Sequence, residues 1–86
     1  LTMGKYDKLL LQVLRGLSDT NIGFDELCGL LKQLDFEMRV RGSHHVFTRN
    51  GVREQINLQR DGAKAKPYQV KQVRAIITHY KLGAES

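Results

Sequence analysis

The 86-residue sequence is poor in the residues that build cross-linked, metal-bound or membrane-spanning proteins. A single cysteine excludes an internal disulfide framework and a Cys-rich zinc module. No apolar run approaches the ~20 residues that a membrane helix needs, and no signal-peptide pattern opens the chain. With one proline and no tryptophan, its 41% hydrophobic residues suffice for one modest core. We therefore expect one soluble, cytoplasmic domain over residues 1–86, with no metal, small-molecule cofactor or membrane partner.

Charge is distributed unevenly along the chain. Residues 1–37 hold four Lys or Arg against six Asp or Glu, a net charge of −2. Residues 38–86 hold ten Lys or Arg against three Asp or Glu, a net charge of +7. A basic half on a small domain favours a polyanionic partner, most often a nucleic acid, over ordinary solvated charge.

Two helical patterns come first. The apolar residues between Tyr6 and Leu17 recur at the spacing of one helix face, and the polar residues 18–21 end that helix. A second helix begins at Phe24, with acidic residues in its first turn, where the helix dipole favours negative charge. The residues expected to face the core are Leu9, Leu10, Val13, Leu14 and Leu17 in the first helix, and Phe24, Leu27, Cys28, Leu30, Leu31 and Leu34 in the second.

The apolar period then falls to two, which is typical of half-buried strands. Gly42-Ser43 separates a first strand from a second, and Asn50-Gly51, a strong hairpin signal, separates the second from a third. The strands are predicted over 36–41, 44–49 and 52–58. The residues expected to share the inner face are Phe36, Met38 and Val40 in the first strand, and Val52, Glu54, Ile56 and Leu58 in the third.

The last part of the chain is predicted to be a polar loop, 59–66, followed by a helix that begins near Pro67 and runs to Tyr80. The order of elements is therefore α-α-β-β-β-α. A three-stranded antiparallel sheet is not stable with an apolar face bare, so the helices should pack on that face. We expect a two-layer α+β sandwich whose other face is open and lined by Arg and His.

Two adjacent histidines lie in the second strand, and neighbouring strand residues point to opposite faces. His45 shares the parity of Phe47, so we expect it to point inward as a hydrogen-bonded, partly buried residue. His44 is expected on the open face, as a polar surface residue or as a general acid or base, because imidazole titrates near pH 6.5. Their opposite directions argue against a shared metal ion. Cys28 lies on an apolar helical stripe, which indicates a buried structural thiol rather than a nucleophile.

A second basic group lies at the start of the last helix. Lys64 and Lys66 precede Pro67, and a helix N-terminus offers unpaired N–H groups and the positive end of a dipole. These lysines predict a phosphate-binding site, with a solvated basic loop as the alternative. Lys71 and Arg74 follow at helical spacing, where a solvated surface is again the alternative.

Several of these residues together resemble a known family. The run Gly42-Ser43-His44-His45-Val46-Phe47, then a hairpin, Ile56-Asn57-Leu58, Lys66-Pro67 and a final helix over 70–80, resembles the HicA toxins of bacterial toxin–antitoxin systems. The resemblance covers roughly residues 24–82 and leaves an additional N-terminal helix in residues 1–17. It implies a double-stranded-RNA-binding-domain-like fold, cleavage of mRNA and a HicB-type antitoxin as partner. It also implies that His44 is catalytic.

The implied chemistry fits the residue types that are present. In metal-free RNA cleavage the 2′-OH attacks its own phosphate, one group takes a proton, and positive charge meets the phosphorane. His44 can take the proton, and Tyr68 is a candidate second acid. One acid/base group contributes about 10²–10⁴-fold, which predicts a slow endoribonuclease. The candidate RNA-binding residues are Arg39, Arg41, Ser43, Lys64, Lys66 and Lys71.

Two other functions remain open on the sequence. A non-catalytic RNA-binding domain would need only Lys and Arg contacts to the backbone and 2′-OH groups. A protein-interaction module would instead use the basic open face to dock an acidic partner.

Overall fold

The computed structural model describes residues 4–83, so the predicted domain limits at 1 and 86 lie outside the described residues. The helices are α1 (Lys5–Arg15), α2 (Phe24–Gln33) and α3 (Pro67–Tyr80), with a short 3-10 helix at Asp19–Asn21. The strands β1 (Glu37–Arg41), β2 (His44–Arg49) and β3 (Val52–Leu58) form one antiparallel sheet in the order β1-β2-β3. The predicted α+β class and α-α-β-β-β-α order are confirmed.

The inner face of the sheet carries the core. Phe47 on β2 lies opposite Met38 on β1 and Ile56 on β3. Phe47, Ile56 and Leu58 are fully buried. Helices α2 and α3 cover this face, and their contributions to the same core cluster are Leu27, Leu30 and Leu31 from α2, and Val70, Val73 and Ile77 from α3. The helical layer thus lies on one face, and the other stays open to solvent.

A register shift in the β2–β3 hairpin changes which β3 residue pairs with Phe47. Arg49 pairs with Val52 around the Asn50-Gly51 turn, and regular counting from there would place Phe47 opposite Glu54. The irregularity between Phe47 and Arg49 places Ile56 there instead. Glu54, which was predicted to share the inner face, is exposed, and its carboxylate accepts a 2.6 Å hydrogen bond from the Tyr80 hydroxyl. This hydrogen bond lowers the pKa of Glu54.

Residues 59–66 are not the polar loop that the sequence predicted. They contain a two-stranded antiparallel ribbon, β4 (Arg60–Asp61) with β5 (Lys64–Ala65). Its backbone is tied to the start of α2, because the Phe24 N–H donates to the Ala63 carbonyl at 3.0 Å and the Ala65 N–H donates to the Ile22 carbonyl at 2.9 Å. Two residues per strand are too few for an alternating pattern to be recognised in a sequence.

The prediction that Leu14 and Leu17 face the core is wrong. Leu14 is 39% exposed and Leu17 is 87% exposed, whereas Val13 is fully buried. The helix ends at Arg15, and Gly16 adopts the left-handed conformation with φ 70°, so Leu17 lies beyond the helical repeat.

Val40 also departs from its predicted burial. It shares the parity of the half-buried Met38, but it is 55% exposed. Because β1 is an edge strand, only β2 flanks Val40 within this sheet.

Candidate functional site

The two adjacent histidines lie on opposite faces of β2, as their parity predicted. The His45 ring is half-buried and contacts Phe24 edge-on, with 4.9 Å between ring centroids and 79° between ring planes. The expected hydrogen bond is not found: within residues 4–83, the buried Nδ1 of His45 has no partner. His45 is therefore a packing residue of the inner face.

His44 is exposed on the open face, where its Nδ1 lies 3.1 Å from Oδ1 of Asn57 on β3. With the carboxamide oxygen of Asn57 as acceptor in this orientation, Nδ1 of His44 is the ring nitrogen that donates. This leaves Nε2 as the nitrogen that is free to take up a proton when the ring is neutral. Asn57 thus holds the His44 ring through Nδ1, a contact that the motif alone did not predict.

Two arginines of β1 share the open face with His44. Arg41 is its cross-strand partner on β1, and Arg39 pairs with Val46 in the next row. Directly opposite residues of an antiparallel pair have Cβ atoms about 4.5–5.5 Å apart. Arg39 and Arg41 are exposed and line a shallow hollow in the sheet together with Val46, Thr48 and Gln55. A phosphate group on this face would meet two guanidinium groups beside one imidazole.

A chain of hydrogen bonds joins this site to the start of α3. The Ser43 hydroxyl accepts from Nε2 of Gln59 at 3.3 Å, and the Gln59 N–H donates to Oε1 of Gln69 at 3.3 Å. Gln69 is buried in the first turn of α3, and its Nε2 donates to the Tyr68 hydroxyl at 3.4 Å. Lys66 is the N-cap residue of this helix. The structure thus connects the Ser43–His44 turn with the Lys66–Tyr68 segment through Gln59, a residue that the sequence analysis did not single out.

Lys64 and Lys71 lie on a different side of the molecule. The Lys64 ammonium donates a hydrogen bond to Oδ1 of Asn21 in the 3-10 helix. Lys71 is exposed on α3, and its charge contributes to the lowered pKa of Asp19, whose main cause is the hydrogen bond from Arg74. Both lysines are therefore grouped with the 3-10 helix rather than with His44.

The cysteine behaves as a core residue. Cys28 is buried on α2, and burial, followed by the charge of Asp25, raises its pKa to about 11. Such a thiol stays protonated at neutral pH, which makes it a poor nucleophile.

Comparisons of the chain with protein-family models, with curated proteins and with solved structures found no match. Over residues 4–83, no group of three or more His, Cys, Asp or Glu side chains is arranged to hold a metal ion. In that same range no helix is both long and apolar enough to cross a bilayer. The chemistry of the His44 surface is therefore the feature that points to a function.

Proposed function

We propose that this protein is a HicA-like mRNA interferase: a slow, metal-independent, cytoplasmic endoribonuclease that uses His44 and is neutralised by a HicB-type antitoxin. The observation that carries the proposal is the His44–Asn57 hydrogen bond on a face lined by Arg39 and Arg41. It orients an exposed imidazole beside fixed positive charge, and RNA cleavage needs both groups.

In the proposed cleavage reaction, His44, Arg39 and Arg41 have separate roles. Nε2 of His44 accepts the proton of the 2′-OH, and the 2′ oxygen forms a bond to the adjacent phosphorus. The guanidinium groups of Arg39 and Arg41 stabilise the charge of the phosphorane. The bond from phosphorus to the 5′ oxygen breaks, and this oxygen takes a proton from a second donor, for which Tyr68 is the candidate. The products are a 2′,3′-cyclic phosphate and a 5′-hydroxyl.

Two further observations support an RNA substrate. From residue 24 onward the element order is α-β-β-β-α apart from the short β4–β5 ribbon, which is the order of the double-stranded-RNA-binding-domain-like fold that the resemblance implies. The Ser43–Gln59–Gln69 chain also links the first turn of α3, whose N-cap is Lys66, to the residue that precedes His44. Lys66 and the two arginines are the cations proposed to contact the phosphates of the RNA.

The test is cleavage of an end-labelled single-stranded RNA by the purified protein, in buffer and in excess EDTA. We expect 2′,3′-cyclic ends, the same rate with EDTA, and a loss of about 10²–10⁴-fold in His44→Ala. His79→Ala is the matched control, because His79 is also exposed but lies on α3 beside Tyr80.

Full cleavage by His44→Ala, or cleavage restored only by added Mg²⁺ or Mn²⁺, would contradict the proposed chemistry. Tight RNA binding without cleavage by the wild type would favour the non-catalytic RNA-binding domain. Absence of RNA binding would favour the protein-interaction module.

A further inference from the structure

We propose that the outer side of α1 is a docking site for an acidic amphipathic helix of a partner protein. This α1 outer face consists of Lys8, Leu11, Arg15 and Leu17. The inference goes beyond the proposed nuclease and uses none of its residues.

The first observation is an excess of exposed leucine. Leu11 is 40% exposed, so with Leu14 and Leu17 it makes three exposed leucines within seven residues. Exposed large apolar side chains within residues 4–83 number five, and the other two, Val40 and Tyr68, lie on other elements. Single exposed apolar residues are normal, but a contiguous apolar patch with a polar rim marks an interaction surface.

The second observation is that this surface is held in place. The Gly16 N–H donates to the Val13 carbonyl at 3.2 Å, which fixes the turn at the end of α1. The Arg74 guanidinium donates to the same carbonyl at 3.1 Å and to both carboxylate oxygens of Asp19, at 2.9 and 3.1 Å. Leu17 is thus exposed between two anchored residues. A surface ordered before binding loses little conformational entropy when a partner docks.

The third observation is the charge around the leucines. Lys8 and Arg15 lie three residues before and four residues after Leu11, so all three share one side of the helix. Together with Gln12, Leu17 and Ser18 they line a hollow on this side. The acidic neighbour Asp7 is engaged at the helix start, where it accepts a 3.0 Å hydrogen bond from the Gly4 N–H.

These charges decide which occupant fits. A second copy of α1 would oppose Lys8 to Arg15 in an antiparallel pair and like residue to like residue in a parallel pair, and both arrangements repel. A helix that carries leucines at i, i+3 or i+4 and i+7, flanked by glutamates, satisfies both the apolar strip and the two cations.

The experiment titrates the full 86-residue chain into two fluorescein-labelled amphipathic peptides of about 15 residues, a length at which helices begin to form. Both carry the same leucine strip, flanked by glutamates in one peptide and by lysines in the other. By fluorescence anisotropy we expect saturable binding of the glutamate peptide and at least tenfold weaker binding of the lysine peptide.

Variants connect that binding to the α1 outer face. Leu11→Ser with Leu17→Ser should weaken binding of the glutamate peptide by about tenfold or more, since two apolar contacts are lost. Val40→Ser is the matched control, an exposed apolar residue elsewhere, and should bind like the wild type. Lys8→Glu with Arg15→Glu should reverse the preference toward the lysine peptide, and this reversal remains decisive if the serine variant fails to fold.

Three results would overturn the proposal. One is equal binding of the two peptides, or binding that all variants retain. Another is no saturable peptide binding together with Leu17-dependent binding to phosphatidylglycerol vesicles, which would assign the face to a membrane surface. The third is Leu17-dependent dimerisation in sedimentation, which would assign it to a second copy.

Discussion

The two faces of the β1-β2-β3 sheet use neighbouring residues of one strand for opposite purposes. On the inner face, His45 and Phe47 contact the helical layer, and the His45 imidazole serves only as an aromatic packing group. On the open face, His44 is exposed beside Arg41, and its ring is oriented by Asn57. A shift of one position along a strand thus changes imidazole from a core side chain into a candidate proton acceptor.

The largest effect that separates the faces should come from Phe47 and Val46. Phe47→Ala removes a fully buried ring from the centre of the core and should lower the free energy of unfolding by about 3–5 kcal/mol. Val46→Ala, one residue earlier and on the open face, should cost about 1 kcal/mol or less. Urea unfolding followed by circular dichroism measures both. Equal losses would mean that the open face is covered in solution.

The histidine pair should show the same contrast at smaller amplitude. His45→Ala removes the edge-on contact with Phe24 and should destabilise the fold by about 1–2 kcal/mol. His44→Ala should stay within about 0.5 kcal/mol of the wild type, because its ring is exposed. Thermal unfolding of the two variants side by side is the measurement. If His44→Ala were the less stable protein, the assignment of the two faces would be reversed.

Asn57 should influence catalysis without influencing stability. Asn57→Ala removes the acceptor for the Nδ1 proton of His44, and one hydrogen bond of about 0.5–1.5 kcal/mol corresponds to a loss of up to about tenfold in cleavage rate. Gln72→Ala, which removes an exposed amide on α3 away from this face, serves as the control. The readout is single-turnover cleavage at saturating protein, which separates the chemical step from RNA affinity. Unchanged cleavage by Asn57→Ala would remove Asn57 from the site.

The smallest expected effect is a difference between Lys66 and Lys64 in the salt dependence of RNA binding. Each phosphate contact with single-stranded RNA adds about −0.7 to the slope of log affinity against log salt concentration. Lys66→Ala should therefore make the slope shallower by about 0.7, whereas Lys64→Ala should change it little, because Lys64 is directed to Asn21. Anisotropy of labelled RNA in a salt series, on a His44→Ala background that prevents cleavage, gives both slopes. A larger change of slope in Lys64→Ala than in Lys66→Ala would indicate that RNA binds on the side of the 3-10 helix.

Sequence periodicity predicted the three helices and the three strands of the main sheet, because apolar spacing reflects burial. It missed the β4–β5 ribbon, and it placed the exposed Glu54 and Val40 on the inner face. The parity of His45 with Phe47 was sufficient to place both histidines. Counting from the Asn50-Gly51 turn alone would place Asn57 directly opposite His44, but the register shift between Phe47 and Arg49 pairs Asn57 with Val46, so its contact with His44 is diagonal. Gln59 lies outside the strands, where parity does not apply.

The exposed leucines of α1 show a different limit of sequence reasoning. A leucine stripe predicts an amphipathic helix, but it does not show whether every leucine of the stripe packs against the core of this chain or whether some contact another protein. Here Val13 and Leu14 are adjacent in the sequence, yet only Val13 is buried. The exposure of Leu14 and Leu17 follows from the end of the helix at Arg15 and the turn at Gly16, which the leucine spacing does not predict.

The position of β1 at the edge of the sheet has a consequence for aggregation. An edge strand offers its main chain to any second strand that approaches, and an apolar edge would join sheet to sheet into insoluble ribbons. β1 alternates three charged residues, Glu37, Arg39 and Arg41, with two apolar residues, and charged side chains on an edge strand oppose edge-to-edge pairing. The cations that we propose for phosphate contact therefore also oppose edge-to-edge pairing, so replacing them to disable the proposed nuclease would at the same time favour fibril formation.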